Sequence, residues 1–197
     1  MVFIEILGYI GKDVNSSEFN ILEQFSISGS GVSGGTGEAD MALGYFTKKE
    51  QKAQVLIEFK DPSSNDLDKL SARKDKFSPV DQCWNYLNCY PDAKWGIVTN
   101  YNEIRLYHKE KGKTKAEVFF FSVPDEFKDK HLSLSDEKEL LKFITLLKED
   151  HLLAKNGISF TEDILKQQGI EQEKVKDKFY IQYKNLRKKI FQVLQDY

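Results

Sequence analysis

At 197 residues, with 40% apolar and 13% aromatic side chains, the chain can build one globular domain with a substantial core and still carry an appended element. It lacks both an apolar run of about 18 residues and a charged, apolar and small leader pattern, which excludes a membrane span or signal peptide and leaves a soluble, cytoplasmic protein as the expectation. A formal charge of −2 argues mildly against a free-standing domain with high affinity for nucleic acid.

From the start of the chain, Val2 to Leu7 reads as a short helix stopped by Gly8, and Phe19 to Ile27 as a strand. The glycine- and serine-rich run from Ser28 to Gly37 is a flexible loop. It lacks the Lys-Ser/Thr ending of a P-loop and is not read as a phosphate cradle. Two strands follow, Asp40 to Phe46 and Val55 to Lys60, with Thr47 to Gln54 as the hairpin loop. Asp66 to Lys74 is predicted as a helix with its charges outward. The next helix has clear start signals: Ser78 as N-cap, Pro79 at the first helical position and Asp81 at the positive end of the dipole. It ends at Pro91. Trp95 to Thr99 is a buried-type strand, Asn100 to Asn102 a turn, Glu103 to His108 the antiparallel partner, and Ala116 to Val123 a further strand with Phe119, Phe120 and Phe121 in the core.

After Pro124 the composition changes. Ser135 to Leu153 is amphipathic, with Ser135 a possible cap and Leu140, Leu141, Ile144 and Leu147 at helical spacing. Phe160 to Tyr197 is a second helical region, broken near Gly169. Its stripe is Val175, Phe179, Tyr183, Leu186, Ile190 and Leu194, with Lys176, Lys178, Lys184, Arg187, Lys188 and Lys189 outside it. The expected fold class is α/β, a mixed β-sheet flanked by helices and followed by a helical C-terminal extension, divided as residues 1–125 and 126–197. Cys83 and Cys89 have neither zinc-site nor persuasive disulfide spacing and read as reduced structural thiols. His108, expected at a surface or edge, His131 and His151 form no ligand or relay pattern, and no nucleophile signature occurs.

The candidate chemistry sits on the hairpin. Strand alternation puts Val55, Ile57 and Phe59 on one face and Leu56, Glu58 and Lys60 on the other. On the partner, Met41, Leu43 and Tyr45 match the apolar set, which leaves Asp40, Ala42 and Gly44 with the charges. A hairpin centred near Glu50 sets Asp40 opposite Lys60 and diagonal to Glu58. Glu-x-Lys alone is common as a solvated charge pair, and Gln82 and Tyr86 alone as a polar helix face. Two carboxylates facing one pocket are costly without compensation, and a divalent cation supplies it. An all-oxygen donor set selects Mg²⁺, or Mn²⁺, over zinc. Such an ion activates water and polarises a phosphoryl oxygen, while Lys60 orients the water or neutralises developing charge.

Asp40, then Glu58-x-Lys60, then Gln82-x-x-x-Tyr86, in that order, resemble the PD-(D/E)XK nuclease superfamily. The stretch from Gln82 through Trp84-Asn85-Tyr86, Trp95-Gly96-Ile97-Val98-Thr99-Asn100 and Ile104-Arg105-Leu106-Tyr107 is similar to the amino-terminal nuclease domain of type IIG (type IIS) restriction-modification enzymes and their type I and type ISP relatives. The resemblance covers about Phe3 to Tyr107. It implies a restriction-endonuclease-like fold and Mg²⁺-dependent cleavage of double-stranded DNA. Asp40, Glu58 and the Phe59 carbonyl would bind the metal, Lys60 would serve the water, Gln82 would contact the site or substrate backbone, and Tyr86 would support Gln82. Ala39 stands where the family name implies proline, a position the family varies. A first-helix glutamate would be Glu5, with Glu18 or Glu23 as rivals. The resemblance also implies linked methyltransferase and target-recognition domains, nothing of which is present in these residues. A tethered cleavage module needs little DNA affinity of its own. The alternatives are a nuclease-like binding or interaction module without cleavage, and a repair or recombination nuclease.

Overall fold

The computed structural model describes residues 4, 6–64, 66–70 and 77–195, with residue 32 and residues 185–195 described for backbone only. It contains two compact units, Met1–Leu153 and Ala154–Tyr197. The first is an α/β unit on a six-stranded sheet: β1 (Glu18–Ile27), β2 (Gly37–Thr47), β3 (Gln51–Phe59), β4 (Trp95–Thr99), β5 (Glu103–His108) and β6 (Ala116–Phe120). The strands lie side by side in chain order. Only β3 and β4 run parallel, and the crossover between them carries α1 (Pro79–Cys89).

The hairpin is tighter than the sequence reading had it. Residues 48–50 make the turn, with the Thr47 N–H donating to the Glu50 carbonyl and the Thr47 hydroxyl accepting from the Glu50 N–H. A bulge between Leu43 and Gly44 shifts the register, so that Phe46 faces Gln51 while Met41 faces Ile57. Gly44 is required there, because a Cβ would sit 2.0 Å from the Lys52 carbonyl oxygen. Turn and bulge together displace the pairing by two residues from the expected register, an even number, so each side chain keeps its predicted face.

α1 starts as its sequence demands. Ser78 is extended, its hydroxyl accepts from the Asp81 N–H at 3.0 Å, and the Asp81 carboxylate returns a bond to the Ser78 N–H. Val80, Cys83, Trp84 and Leu87 form the buried stripe, set against Ala42, Leu56, Val98 and Tyr107 of the sheet. The opposite face receives α2 (Glu137–Leu147), where Phe143 packs edge-on against Phe119 at 5.3 Å between ring centres. The short α3 (Glu149–Leu152) follows. The Glu149 N–H donates to the Leu7 carbonyl and the Tyr9 hydroxyl to the Leu147 carbonyl, tying the amino-terminal segment to this layer. Among the described residues no helix is long and apolar enough to cross a membrane.

Several expectations are corrected. Asp66 to Leu70 is a turn, because the Asp66 carboxylate accepts from the Asp68 N–H and competes with a helical start; the rest of the predicted helix lies outside the described residues. Of the predicted Val2 to Leu7 helix, Val2, Phe3 and Glu5 lie outside them, while Ile4 is helical and Ile6 and Leu7 form a turn. β6 ends at Phe120, and Phe121 is exposed. The cap of α2 is Asp136 rather than Ser135, and its buried stripe is Phe143, Leu146 and Leu147, with Leu140 and Leu141 outside. His108 is buried, its ring 4.5 Å from that of Trp95.

In the second unit, α4 (Phe160–Gln195) runs through Gly169 without a break. One glycine costs about 1 kcal/mol, less than the surrounding Glu, Gln and Lys residues and pairs such as Lys166–Glu162 at 2.8 Å jointly supply. Val175, Phe179 and Tyr183 of the predicted stripe are exposed on it.

α1 packs closely on β4 at Gly96, where a Cβ would lie 2.6 Å from Cys83 Sγ and 3.0 Å from Leu87 Cδ1. Gly96→Ala is therefore expected to lower unfolding free energy by about 1–3 kcal/mol in urea denaturation. Unchanged stability would mean that α1 moves off β4 at no cost.

Candidate active site

The pairing of Met41 with Ile57, carried one step further, brings Asp40 opposite Glu58. This corrects the expected pairing of Asp40 with Lys60. The tight turn at residues 48–50 moves the register three residues from the expected one and the bulge at Leu43/Gly44 returns one of them, which leaves the two carboxylates side by side on neighbouring strands, about 5 Å apart at Cβ. Asp40 is exposed and its Oδ2 accepts from the Phe59 N–H at 2.7 Å, so a side chain replaces backbone pairing where the ladder ends. Glu58 is only 2% exposed. Lys60 Nζ lies 2.5 Å from Glu58 Oε1, two residues along on the same side.

Lys60 is set by the end of β4. Its N–H donates to the Thr99 carbonyl at 2.8 Å. The next residues are held from the β4–β5 turn: the Asn100 side chain donates to the Ser64 carbonyl and that of Asn102 to the Pro62 carbonyl. Asn100 Oδ1 also accepts from the N–H groups of Asn102 and Glu103. The sequence marked these asparagines as a turn, but nothing local showed that they also anchor the segment after Lys60.

α1 supplies the roof. Gln82 Nε2 donates to the Tyr86 hydroxyl at 2.5 Å, and that hydroxyl donates to the Glu38 carbonyl at 2.7 Å. Burial, then the nearby Glu58, push the Tyr86 phenol well above its ordinary range, with Asp40 adding a smaller push. Burial and Glu58 raise the Cys83 thiol in the same sense. Tyr86 and Cys83 are thus both close enough to Glu58 to feel its charge. Asp40, Glu58, Lys60, Gln82 and Tyr86 converge on one face of the sheet, beneath and beside α1.

The glutamates suggested for a first-helix role do not join them. Glu5 lies outside the described residues. Glu18 pairs with Thr47 at the far end of β2, and Glu23 pairs with Met41, on the face opposite Asp40. Level with Asp40, between the pairs Glu23–Met41 and Phe25–Ala39, sits Gln24, whose φ of 53° is left-handed. A non-glycine residue held so within a strand carries backbone strain, and such strain clusters at functional sites. No sequence signal pointed to it.

Among the described residues no three His, Cys, Asp or Glu side chains are grouped to hold a metal ion. Asp40 and Glu58 are a two-carboxylate set, and that suits Mg²⁺, which keeps several waters and takes one or two carboxylates plus substrate oxygens rather than a full protein cage. The donors fit a hard cation, and Lys60 offsets the buried charge of Glu58.

The chain matches no protein-family model, no curated protein and no solved structure.

Tyr86→Phe deletes the hydroxyl that joins Gln82 to β2 and leaves the Glu38 carbonyl without its donor. A loss of about 1–3 kcal/mol in unfolding free energy is expected from chemical denaturation. A variant as stable as the parent would show that the bridge does not hold α1 to β2.

Proposed function

We propose that this chain is a Mg²⁺-dependent DNA endonuclease module of the PD-(D/E)XK type with a restriction-endonuclease-like fold, the cleavage part of a restriction-modification enzyme. The observation that carries the reading is Asp40 directly opposite Glu58, with Lys60 on Glu58 and the Gln82–Tyr86 pair above them. Together with the order of these residues in the chain, it supports hydrolysis of a phosphodiester.

In this reading Asp40 and Glu58, with the Phe59 carbonyl, hold the cation. Bound there, it supplies Lewis-acid polarisation of a phosphoryl oxygen and a more acidic water. Lys60 orients the attacking water and offsets the negative charge that grows on the phosphoryl oxygens. Water oxygen bonds to phosphorus as the bond to the leaving sugar oxygen breaks. The water gives up one proton, and the departing oxygen takes one from solvent. Gln82, fixed by Tyr86, positions the phosphodiester beside the carboxylates. Double-stranded DNA is the substrate, and methyltransferase and target-recognition domains are the covalent partners that would bring it here, consistent with a chain of charge −2 that has little attraction for DNA of its own.

Plasmid cleavage by the full-length polypeptide with Mg²⁺ tests this. Asp40→Ala and Glu58→Ala are each expected to cut cleavage by at least about a hundredfold while circular dichroism remains native. Lys60→Ala should slow turnover more than it weakens Mn²⁺ binding measured by calorimetry. Cutting by Asp40→Ala at the parental rate would refute the assignment.

A further inference from the structure

Beside the carboxylates, between the loop of residues 28–36 and α1, lies a cavity of about 480 Å³, within the range of small-ligand sites. It opens one step along β2 from the site: Glu38 and Asp40 share a face of that strand, about 7 Å apart. Gln82 and Tyr86 line it, so the cavity and the candidate active site have a wall in common.

Its chemistry differs from that of the site. Among the described residues that line it there is no lysine, arginine or histidine, and the one charged group is the Glu38 carboxylate. The described lining is thus suited to a neutral polar group rather than to an anion. Its polar groups are the neutral side chains of Ser33, Thr36, Gln82 and Asn85, and its aromatic ring is Phe77, which is 39% exposed although it stands just before the Ser78 cap. The cavity is also built rather than incidental. Asn85 Nδ2 donates to the Ser30 carbonyl at 2.7 Å, and the Gly31 N–H to the Gly35 carbonyl at 2.8 Å, which holds the loop wall against α1. Gly31 and Gly37 leave no room for a Cβ, the nearest atoms being the Thr36 carbonyl oxygen at 2.5 Å and Ser30 Oγ at 2.3 Å. The Gln82 amide spends one N–H on Tyr86 and has a second N–H and a carbonyl oxygen for other partners.

A flat, neutral group rich in donors and acceptors, with a π face for Phe77, satisfies all of this. We propose that the cavity is a nucleobase subsite. It takes the base of the nucleotide adjoining the phosphodiester at Asp40 and Glu58, stacked on Phe77, with its amino or imino groups donating to Glu38 and its edge bonded to Gln82. This deepens the nuclease reading and rests on it. It also specifies the substrate further: a base can present its face to Phe77 only when unpaired, so the nucleotide next to the cut is extruded from the duplex or already single-stranded.

The test is binding of the full chain, in EDTA, to a fluorescein-labelled single-stranded 12-mer and to the same oligomer made of abasic sugars, read by fluorescence anisotropy. The parent is expected to bind the base-bearing oligomer at least about tenfold more tightly than the abasic one. Phe77→Ala should lose that preference and Phe77→Trp keep it. Equal binding of the two oligomers by the parent overturns the proposal without any variant, as does a preference retained by Phe77→Ala. Asp40→Ala separates this from the chemistry. It should keep the base preference while losing cleavage. An Asp40→Ala variant that cuts like the parent defeats the phosphodiesterase reading and leaves the subsite standing, whereas a chain that cuts without any base preference defeats the subsite alone.

Discussion

Glu58 is a carboxylate withdrawn from water on the sheet face that α1 covers, and Lys60 Nζ at 2.5 Å from its Oε1 is what makes that tolerable. Desolvating both charges costs about as much as their attraction returns, so an apolar pair of similar volume would serve stability equally well. The pair therefore makes little sense as a device for stability. What it provides is an acid held at one position, with its cation two residues away on a strand whose geometry permits little drift. The rest of the site is arranged around that position. Asp40 stands opposite it, and the Tyr86 phenol and Cys83 thiol both respond to its charge.

The chain topology explains why these groups meet where they do. β3 and β4 are the one parallel pair, and the ends at which both finish are where a crossover leaves room for a ligand. Glu58, Phe59 and Lys60 close β3 at that end, while Thr99 and Asn100 close β4. The Lys60 N–H to Thr99 carbonyl bond joins the two strand ends. α1 returns from the same end, and Gln82 lies in its first turns, bonded to Tyr86. The antiparallel β2 then brings Asp40 in from its opposite direction. The Gly96 contact fixes how deeply α1 sits, and the Tyr86–Glu38 bond ties it to β2.

Much of this could be read from residues with strong local rules. Ser78, Pro79 and Asp81 set the start of α1, the apolar run from Trp95 to Thr99 set β4 to the residue, and period-two alternation put Asp40 and Glu58 on a common face. The register could not be read, because it is set by the tight turn that Thr47 closes with Glu50 and by a bulge that depends on the approach of Lys52 to Gly44 across the hairpin. Nor could the true cap of α2, since Ser135 and Asp136 are both good caps and the choice lies in which stripe Phe119 receives. Gly169 leaves α4 unbroken because the long run of helix formers around it outweighs a single poor residue. Gln24 and the anchors Asn100 and Asn102 act only through contacts distant in the chain, and no spacing rule announces them.

The distribution of charge bears on how such a module would hold DNA. A binder that works by counterion release spreads lysines and arginines along the backbone path, and its affinity falls steeply with salt. Among the described residues the cavity beside the carboxylates is lined by one acid and no base, and Lys60 is already engaged with Glu58. Grip at this site would have to come from a cation shared between the carboxylates and the phosphate, from stacking on Phe77, and from whatever the chain is tethered to. Each of these acts only once the nucleotide is in place. In the proposed reading, carboxylates beside a cavity whose described lining is neutral but for one acid would stay idle on passing DNA, which would suit a cleavage module whose choice of target is made elsewhere.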